Sequence, residues 1–343
     1  MKREKWLDIS RGIVMIMVIL GHTGSYLIGK GLEGKSMSIY FMVTSAIKIP
    51  GFFAISGYLF HDKHGDTWEF IKNKIMKILL PYFTLGAVNM LLNILITWGH
   101  IKQWTPWMQH YVHQYIKKFI LGKNLWFIPC LFSVEIIFFI VKKLTKSNLF
   151  CMGIVSSILC IIGYIWSVPE VYIPWRIDTA FMCVLFVYIG YAIRNVEAIR
   201  NFVLSKKGLG IFSILYLMLG IFSYLKYGWK NMDVNRTMYY NFILCFAMII
   251  VGIVVLFGIG KLINKNKILE FVGQNTLAYF IFHTFFFKFA VRVLNRIKIY
   301  DILNYSISCA ILASIIAMIL MVPLIMFINK YCPMLVGKNR RKK

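Results

Sequence analysis

Charged residues are scarce in this chain. Asp, Glu, Lys and Arg make up 15% of it and hydrophobic residues 59%, against roughly 25% charged in ordinary soluble domains. That shortage excludes a soluble globular fold, because 343 residues cannot hide so much apolar surface inside a core bounded by water. Acids are the rarer sign, 13 against 39 Lys and Arg, for a net charge of +26. In a soluble protein such an excess would point to nucleic acid. Here the cations fall between long apolar runs, so no nucleic acid is expected, and the partners they fit are membrane lipid and anionic substrates. A disulfide framework is also absent. Cys130, Cys151, Cys160, Cys183, Cys245 and Cys309 sit inside apolar runs, Cys332 lies near the tail, and no C-x-x-C spacing occurs, so no metal site is expected. There is no internal repeat of the kind that marks many transporters. The first apolar run follows Lys2, Arg3 and Lys5 as a signal peptide would, but no small-residue cleavage site comes after it. It is expected to stay as a first helix.

What the chain does have is apolar runs long enough to cross a bilayer. They lie near 11–28, 37–60, 78–98, 122–141, 149–167, 178–194, 208–225, 239–260, 271–289 and 302–328. A crossing needs about 20 residues, and the fourth and sixth runs are the short ones. The expected fold is an all-α polytopic membrane protein, about ten transmembrane helices in one bundle. The connections are brief, so 1–343 reads as a single integral-membrane domain with a basic cytoplasmic tail over 330–343. Lys and Arg are moderately more frequent in the loops that share a side with the N-terminus, and the tail Lys338-Asn-Arg-Arg-Lys-Lys343 agrees. Both termini are therefore expected in the cytoplasm of a multi-pass protein of the cell membrane, the bacterial cytoplasmic membrane by preference.

Ionisable groups inside spans are costly and mark candidate sites. The first span carries Arg11 and His22, and eleven helical steps put them roughly 16 Å apart in depth. Arg11 then sits at the cytoplasmic face, as an anion-binding group or a snorkelling anchor; His22 lies near mid-membrane, as a reactive imidazole or a packing histidine. His283 in the ninth span and Glu135 in the fourth fall at similar depth, so the three are expected to converge if their helices are neighbours. Pro50, Gly51 and Gly57 should loosen the second span around Ser56-Gly57. Lys72, Lys74 and Lys77 follow, before Pro81, and suit a phosphate-bearing ligand from the cytosol or simply the positive-inside rule. His61-Asp-Lys-His-Gly-Asp66 holds a His and an Asp in a short spacing with no supporting motif. The stretch 99–123, with Trp104, Trp107, Tyr111, Tyr115, His100, His110 and His113, reads as an interfacial aromatic belt or a sugar platform. Asp178 beside Arg176 is either an acceptor-orienting acid or a local ion pair.

Several fragments in fixed order make the chain resemble the membrane-bound acyltransferase-3 family, which O-acylates cell-surface glycans, and within it the branch similar to fucose 4-O-acetylases. They are Trp6-Leu-Asp8 with Arg11-Gly12 and His22 (the Arg-x10-His pattern of the first helix), Phe52-Phe53 with Ser56-Gly57, Leu125-Trp126-Phe127-Ile-Pro129, Asp178 leading to Phe186-Val-Tyr-Ile-Gly190, and Asn275-Thr-Leu-Ala-Tyr-Phe-Ile-Phe-His283. Many members carry arginines before the proline of the third span where this chain has Lys74 and Lys77, which keep the charge without arginine's bidentate grip. The resemblance implies an acyl-CoA donor, acetyl-CoA or another, held from the cytosol by Arg11, Lys74, Lys77 and Ser56. It implies a glycan or glycolipid acceptor near Trp126, Asp178 and Asn275. His22 is the implied general base or acyl carrier, assisted by Arg11, Glu135 and His283, with Ser56, Asn275 or His283 as oxyanion donors. Two other classes fit composition alone: a proton-coupled transporter or flippase of a cell-envelope precursor, and a non-catalytic sensor or assembly subunit.

Overall fold

Several helices in this chain begin where a short polar side chain precedes an apolar run, because that side chain can accept the first unpaired backbone N–H groups. Thr105, Asn148, Ser205, Asn241 and Asn266 each cap a helix in this way. The computed structural model describes residues 4–32, 34–62, 66–101, 103, 105–168, 171–298 and 306–338. His64, Trp104, Lys2, Arg3, the tail residues 339–343 and the first residues of the tenth expected span lie outside them, as does the side chain of His100.

The elements are α1 (Lys5–Ile28), α2 (Lys35–Tyr58), α3 (Thr67–Lys74), α4 (Leu80–Ile101), α5 (Pro106–Ile120), α6 (Phe127–Leu144), α7 (Leu149–Trp166), α8 (Ile177–Asn195), α9 (Glu197–Val203), α10 (Lys206–Tyr227), α11 (Phe242–Ile263), α12 (Lys267–Gln274), α13 (Thr276–Arg296) and α14 (Ser306–Tyr331). Among the described residues the only β pairing is an isolated antiparallel bridge between Asp233 and Met238. The protein is an all-α, multi-pass membrane protein. Among the described residues nine helices are long and apolar enough to cross a membrane. The remaining expected span, the fourth, is α6, which has 18 residues and carries Glu135, Lys142 and Lys143.

Three expectations about the spans are corrected. The third span starts at Thr67 rather than at 78, because α3 runs through a π-helical turn (Ile75–Leu79) directly into α4. Pro81 has no N–H to offer the carbonyl of Lys77, and a widened turn is how a helix absorbs that loss. The second span is not loosened: α2 continues through Pro50 to Tyr58. The ninth is broken at Asn275, where α12 ends and α13 begins on a new axis. The tail does not hang free over its described part either. A 3-10 turn over Pro333–Val336 returns Lys338 to the bundle, where its Nζ donates to Asn275 Oδ1 at 2.7 Å and to Asn329 Oδ1 at 2.8 Å.

Lipid tails are as apolar as leucine, so helices in a bilayer are held by close packing rather than by exclusion of water. Glycine supplies that packing here. A Cβ at Gly57 on α2 would lie 1.9 Å from the Val187 carbonyl oxygen on α8, and one at Gly190 on α8 would lie 1.8 Å from that of Ala54 on α2. The same reciprocal arrangement joins α1 to α12, with Gly12 against Leu269 O at 2.3 Å and Gly273 against Asp8 O at 1.7 Å. Helix α11 fills the middle, with Leu256, Phe257 and Ile253 buried, while α10 turns Ile214, Leu217, Met218 and Leu225 outward. Gly57→Ala should therefore lower thermal stability in detergent by an amount corresponding to roughly 1–3 kcal/mol. Gly220→Ala on α10, where nothing lies within 4 Å, should be neutral or slightly stabilising. Equal melting shifts for the two variants would show that the close backbone contact does not hold α2 to α8.

Candidate active site

Helix α1 lies against α2, α11, α12, α13 and α14, so polar groups along it are shielded from lipid by protein. Two of them open into separate cavities. Arg11, near the start of α1, lines a cavity of about 400 Å³ with Phe52, Ser56, Lys77, Phe127, residues 273–278, Phe280 and Lys338. His22, eleven residues on, lines a second cavity of about 210 Å³ with Ser25, Ser45, Lys48, Trp126 and residues 231–235. The cavities share no lining residue. A run of ring contacts connects one to the other: Phe52 to Phe127 at 5.4 Å, Phe127 to Phe280 at 5.4 Å, Phe280 to His283 at 5.8 Å and His283 to His22 at 5.0 Å.

The Arg11 cavity is electropositive by construction. Three cations line it and no Asp or Glu does. The break at Asn275 adds to this, because it turns the N-terminus of α13 into the cavity with no side chain capping its first turn; Asn275 instead donates to Phe271 O at 2.7 Å. Unpaired helical N–H groups and the positive end of the helix dipole favour an anion there. Lys338 was not singled out from the sequence, since a lysine in a basic tail carries no sign that the tail folds back.

The two histidines meet as expected, but Glu135 does not join them. Its carboxylate accepts from the Ser56 hydroxyl and pairs with Lys74, placing it beside the Arg11 cavity's wall and away from His22. The expected three-way convergence is thereby corrected: helical depth alone could not tell which face of α6 the acid occupies. Lys74 is likewise absent from the cavity lining, because it is held by Glu135 and by the rings of Phe60 and Phe70. Lys77, three residues on and within the π turn, does line it. Asp178 lies outside both cavities. It is fully buried, ion-paired with Arg176 at 3.2 Å, and 2.9 Å from the Ser167 hydroxyl. Trp126 lines the His22 cavity. His61 and Asp66 flank undescribed residues, and Asp62 pairs with Lys142 at 2.5 Å. Residues 106–120 of the aromatic stretch form α5, with Trp107 stacked on Tyr111 at 5.5 Å.

His283 has a defined tautomer. Its Nδ1 lies 2.7 Å from the Phe280 carbonyl oxygen, which can only accept, so Nδ1 carries the proton and the neutral ring's Nε2 is an acceptor facing the Thr284 hydroxyl at 3.3 Å. His22 has no hydrogen bond to any described residue and is exposed to its cavity, so its ring nitrogens are available to whatever enters.

The acyltransferase-3 domain family, described as an acyltransferase domain, matches residues 4–330. The chain belongs to this family. A further similarity is to Nodulation protein NolL of Mesorhizobium japonicum, 33% identical over 81 residues, which are 23% of this chain and 22% of that protein. The matched segment thus spans about a fifth of that relative's length. No solved structure matches. Membership places the chain among proteins with an acyltransferase domain, and the two cavities are the places on it where ligand chemistry can be sought.

The Lys74–Glu135 pair predicts a non-additive result. Glu135→Gln should destabilise the protein by roughly 3–5 kcal/mol by leaving a half-buried ammonium unmatched. Adding Lys74→Met should recover most of it, read as the detergent melting temperature of the single and double variants. Simple additivity would contradict the pairing.

Proposed function

We propose that the protein is a membrane O-acyltransferase that moves an acyl group, acetyl by family analogy, from acyl-CoA to a hydroxyl of a cell-surface glycan or glycolipid. The observation that carries this reading is the position of Arg11 and His22 on one helix, each opening into its own cavity on either side of a layer of rings. In this reading the Arg11 cavity faces the cytosol and receives acyl-CoA. Arg11, Lys77, Lys338 and the N-terminus of α13 meet the diphosphate, and Lys338 takes the part expected of Lys74. The His22 cavity faces the other side of the bacterial cytoplasmic membrane and admits the acceptor. The finer placement beside the fucose 4-O-acetylases rests on the sequence fragments alone.

The chemistry follows from what His22 can do. Its imidazole removes the proton of the acceptor hydroxyl as the oxygen attacks the thioester carbonyl; the C–S bond breaks and the CoA thiolate leaves, taking up the proton. Alternatively His22 accepts the acyl group on a ring nitrogen, releases CoA thiol, and passes the group to the hydroxyl in a second step. The ring layer matters to both routes, since it keeps bulk water from joining the cavities and hydrolysing the activated group. Asn275 and Ser56, on the donor side, are positioned for donor contacts rather than for the acceptor.

The test uses purified protein in nanodiscs with radiolabelled acetyl-CoA and, in parallel, longer acyl-CoAs, scoring both hydrolysis and transfer to envelope glycan. His22→Ala should reduce transfer by at least about 100-fold. Arg11→Ala should raise KM for the donor by about tenfold or more, with a smaller effect on kcat. Turnover that ignores His22, or the absence of any acyl-CoA turnover or binding, would sink the acyl-transfer reading and favour a flippase. Flux of a cell-envelope precursor would then be measured in its place.

A further inference from the structure

The His22 cavity contains a cation that the reaction as proposed does not use. Lys48 lies fourteen residues into α2, inside a membrane span, and lines the cavity beside His22. Its Nζ lies over the rings of Phe41 at 4.9 Å and Tyr40 at 6.0 Å. The ammonium has no ion pair or hydrogen bond among the described residues. Gly21, next to the reactive histidine, borders the ammonium: a Cβ there would meet Nζ at 3.4 Å. Tyr40, which borders the ammonium, is fixed in place by donating its hydroxyl to the Met17 carbonyl oxygen.

The acid in the same cavity attracts this charge without reaching ion-pair distance. Asp233 sits in the segment between α10 and α11 that borders the cavity. Its carboxylate is already engaged by the backbone N–H groups of Asn235 at 2.9 Å and Arg236 at 3.4 Å, and by Arg236 Nε at 3.7 Å. Asp233 is thus shared with Arg236 and offsets the Lys48 charge only in part. An ammonium within a membrane bundle is costly unless something meets it, and cation–ring contacts offset only part of that. The remaining lining is what a polyhydroxylated ligand calls for. Ser25, Ser45, Asn231 and Asn235 supply hydroxyls and amides, and Trp126 supplies an apolar face. Asn235 Oδ1 is buried and has no partner, which a ligand hydroxyl would correct.

We propose that this cavity recognises an acceptor that is itself anionic, with Lys48 pairing to a carboxylate or phosphate on the same molecule that presents its hydroxyl to His22. The inference rests on the acyl-transfer reading for His22 and adds the charge class of the acceptor. Lys48 is a binding and specificity-determining residue: it fixes which hydroxyl lies at the imidazole by anchoring the charge a short distance away. Both anionic sugars and phosphorylated polyols share the required chemistry. A cavity of about 210 Å³ has room for about one sugar-sized group.

The experiment measures equilibrium binding to the full-length protein in nanodiscs of uncharged lipid, using glucuronate against glucose and glycerol 1-phosphate against glycerol. In wild type at least one anionic probe should bind about tenfold or more tightly than its neutral partner. Lys48→Gln should remove that difference, and Lys48→Arg should keep most of it, which guards against misfolding as the cause. Whichever anion wins assigns the source as a carboxylated sugar or a phosphorylated polyol. Equal binding of charged and neutral probes, failure of both anionic probes to bind, or a preference that survives Lys48→Gln would each overturn the proposal. A protein that binds anions through Lys48 but transfers nothing from acyl-CoA would keep this inference and remove the acyl-transfer reading. One that acylates neutral sugars without regard to Lys48 would do the reverse.

Discussion

Backbone contact through glycine is the constraint on which the other features depend. Because Gly57 and Gly190 let α2 and α8 touch, and Gly12 and Gly273 let α1 and α12 touch, the carbonyls of one helix rest on the Cα atoms of the next. That closeness has a positional consequence. Gly12 follows Arg11 and Gly273 precedes Gln274 and Asn275, so the contact that locks α1 to α12 also sets Arg11 against the break that opens α13. Gly57 follows Ser56, so the contact that locks α2 to α8 fixes the hydroxyl that meets Glu135. The cavity walls are therefore built from residues adjacent to the tightest contacts in the bundle, where small displacements are least permitted.

Electrostatic sorting is the second organising effect. Acids are few, and two of the buried ones are matched locally by cations: Glu135 by Lys74, Asp178 by Arg176. Cations outnumber acids in the lining of the Arg11 cavity, and Lys48 faces the His22 cavity alongside Asp233. The donor of the proposed reaction is a polyanion, and the acceptor inferred from Lys48 is anionic as well. Rings separate the two regions, and the two histidines stand at the far end of that ring layer from Arg11.

Much of the candidate site was legible in the residues because ionisable groups in apolar runs are conspicuous. Arg11 and His22 stood out by type and by a helical separation that the structure reproduces, since a helix fixes depth from sequence number alone. His283 was found by the same depth argument. That argument gives height and not azimuth, which is why it misplaced Glu135: the acid is on the face of α6 that meets Lys74. Lys48 was visible only as a lysine inside a span, and nothing in one dimension says that it shares a cavity with His22. Lys338 and residues 231–235 were hidden for a different reason, being loop and tail positions whose location depends on where the chain folds back.

The sequence by itself determined the solvent and the helical architecture. Apolar runs of bilayer length, too few charges for water and short polar caps leave helices in a membrane as the physically allowed outcome. It also determined that Arg11 and His22 lie at different depths on one helix. The tertiary structure alone decided which helices are neighbours, that the ninth span breaks at Asn275 while the second runs straight through Pro50, and that the two depths open into two cavities. A proline or glycine permits a break, a close contact or neither, and only the surface packed against it selects among them.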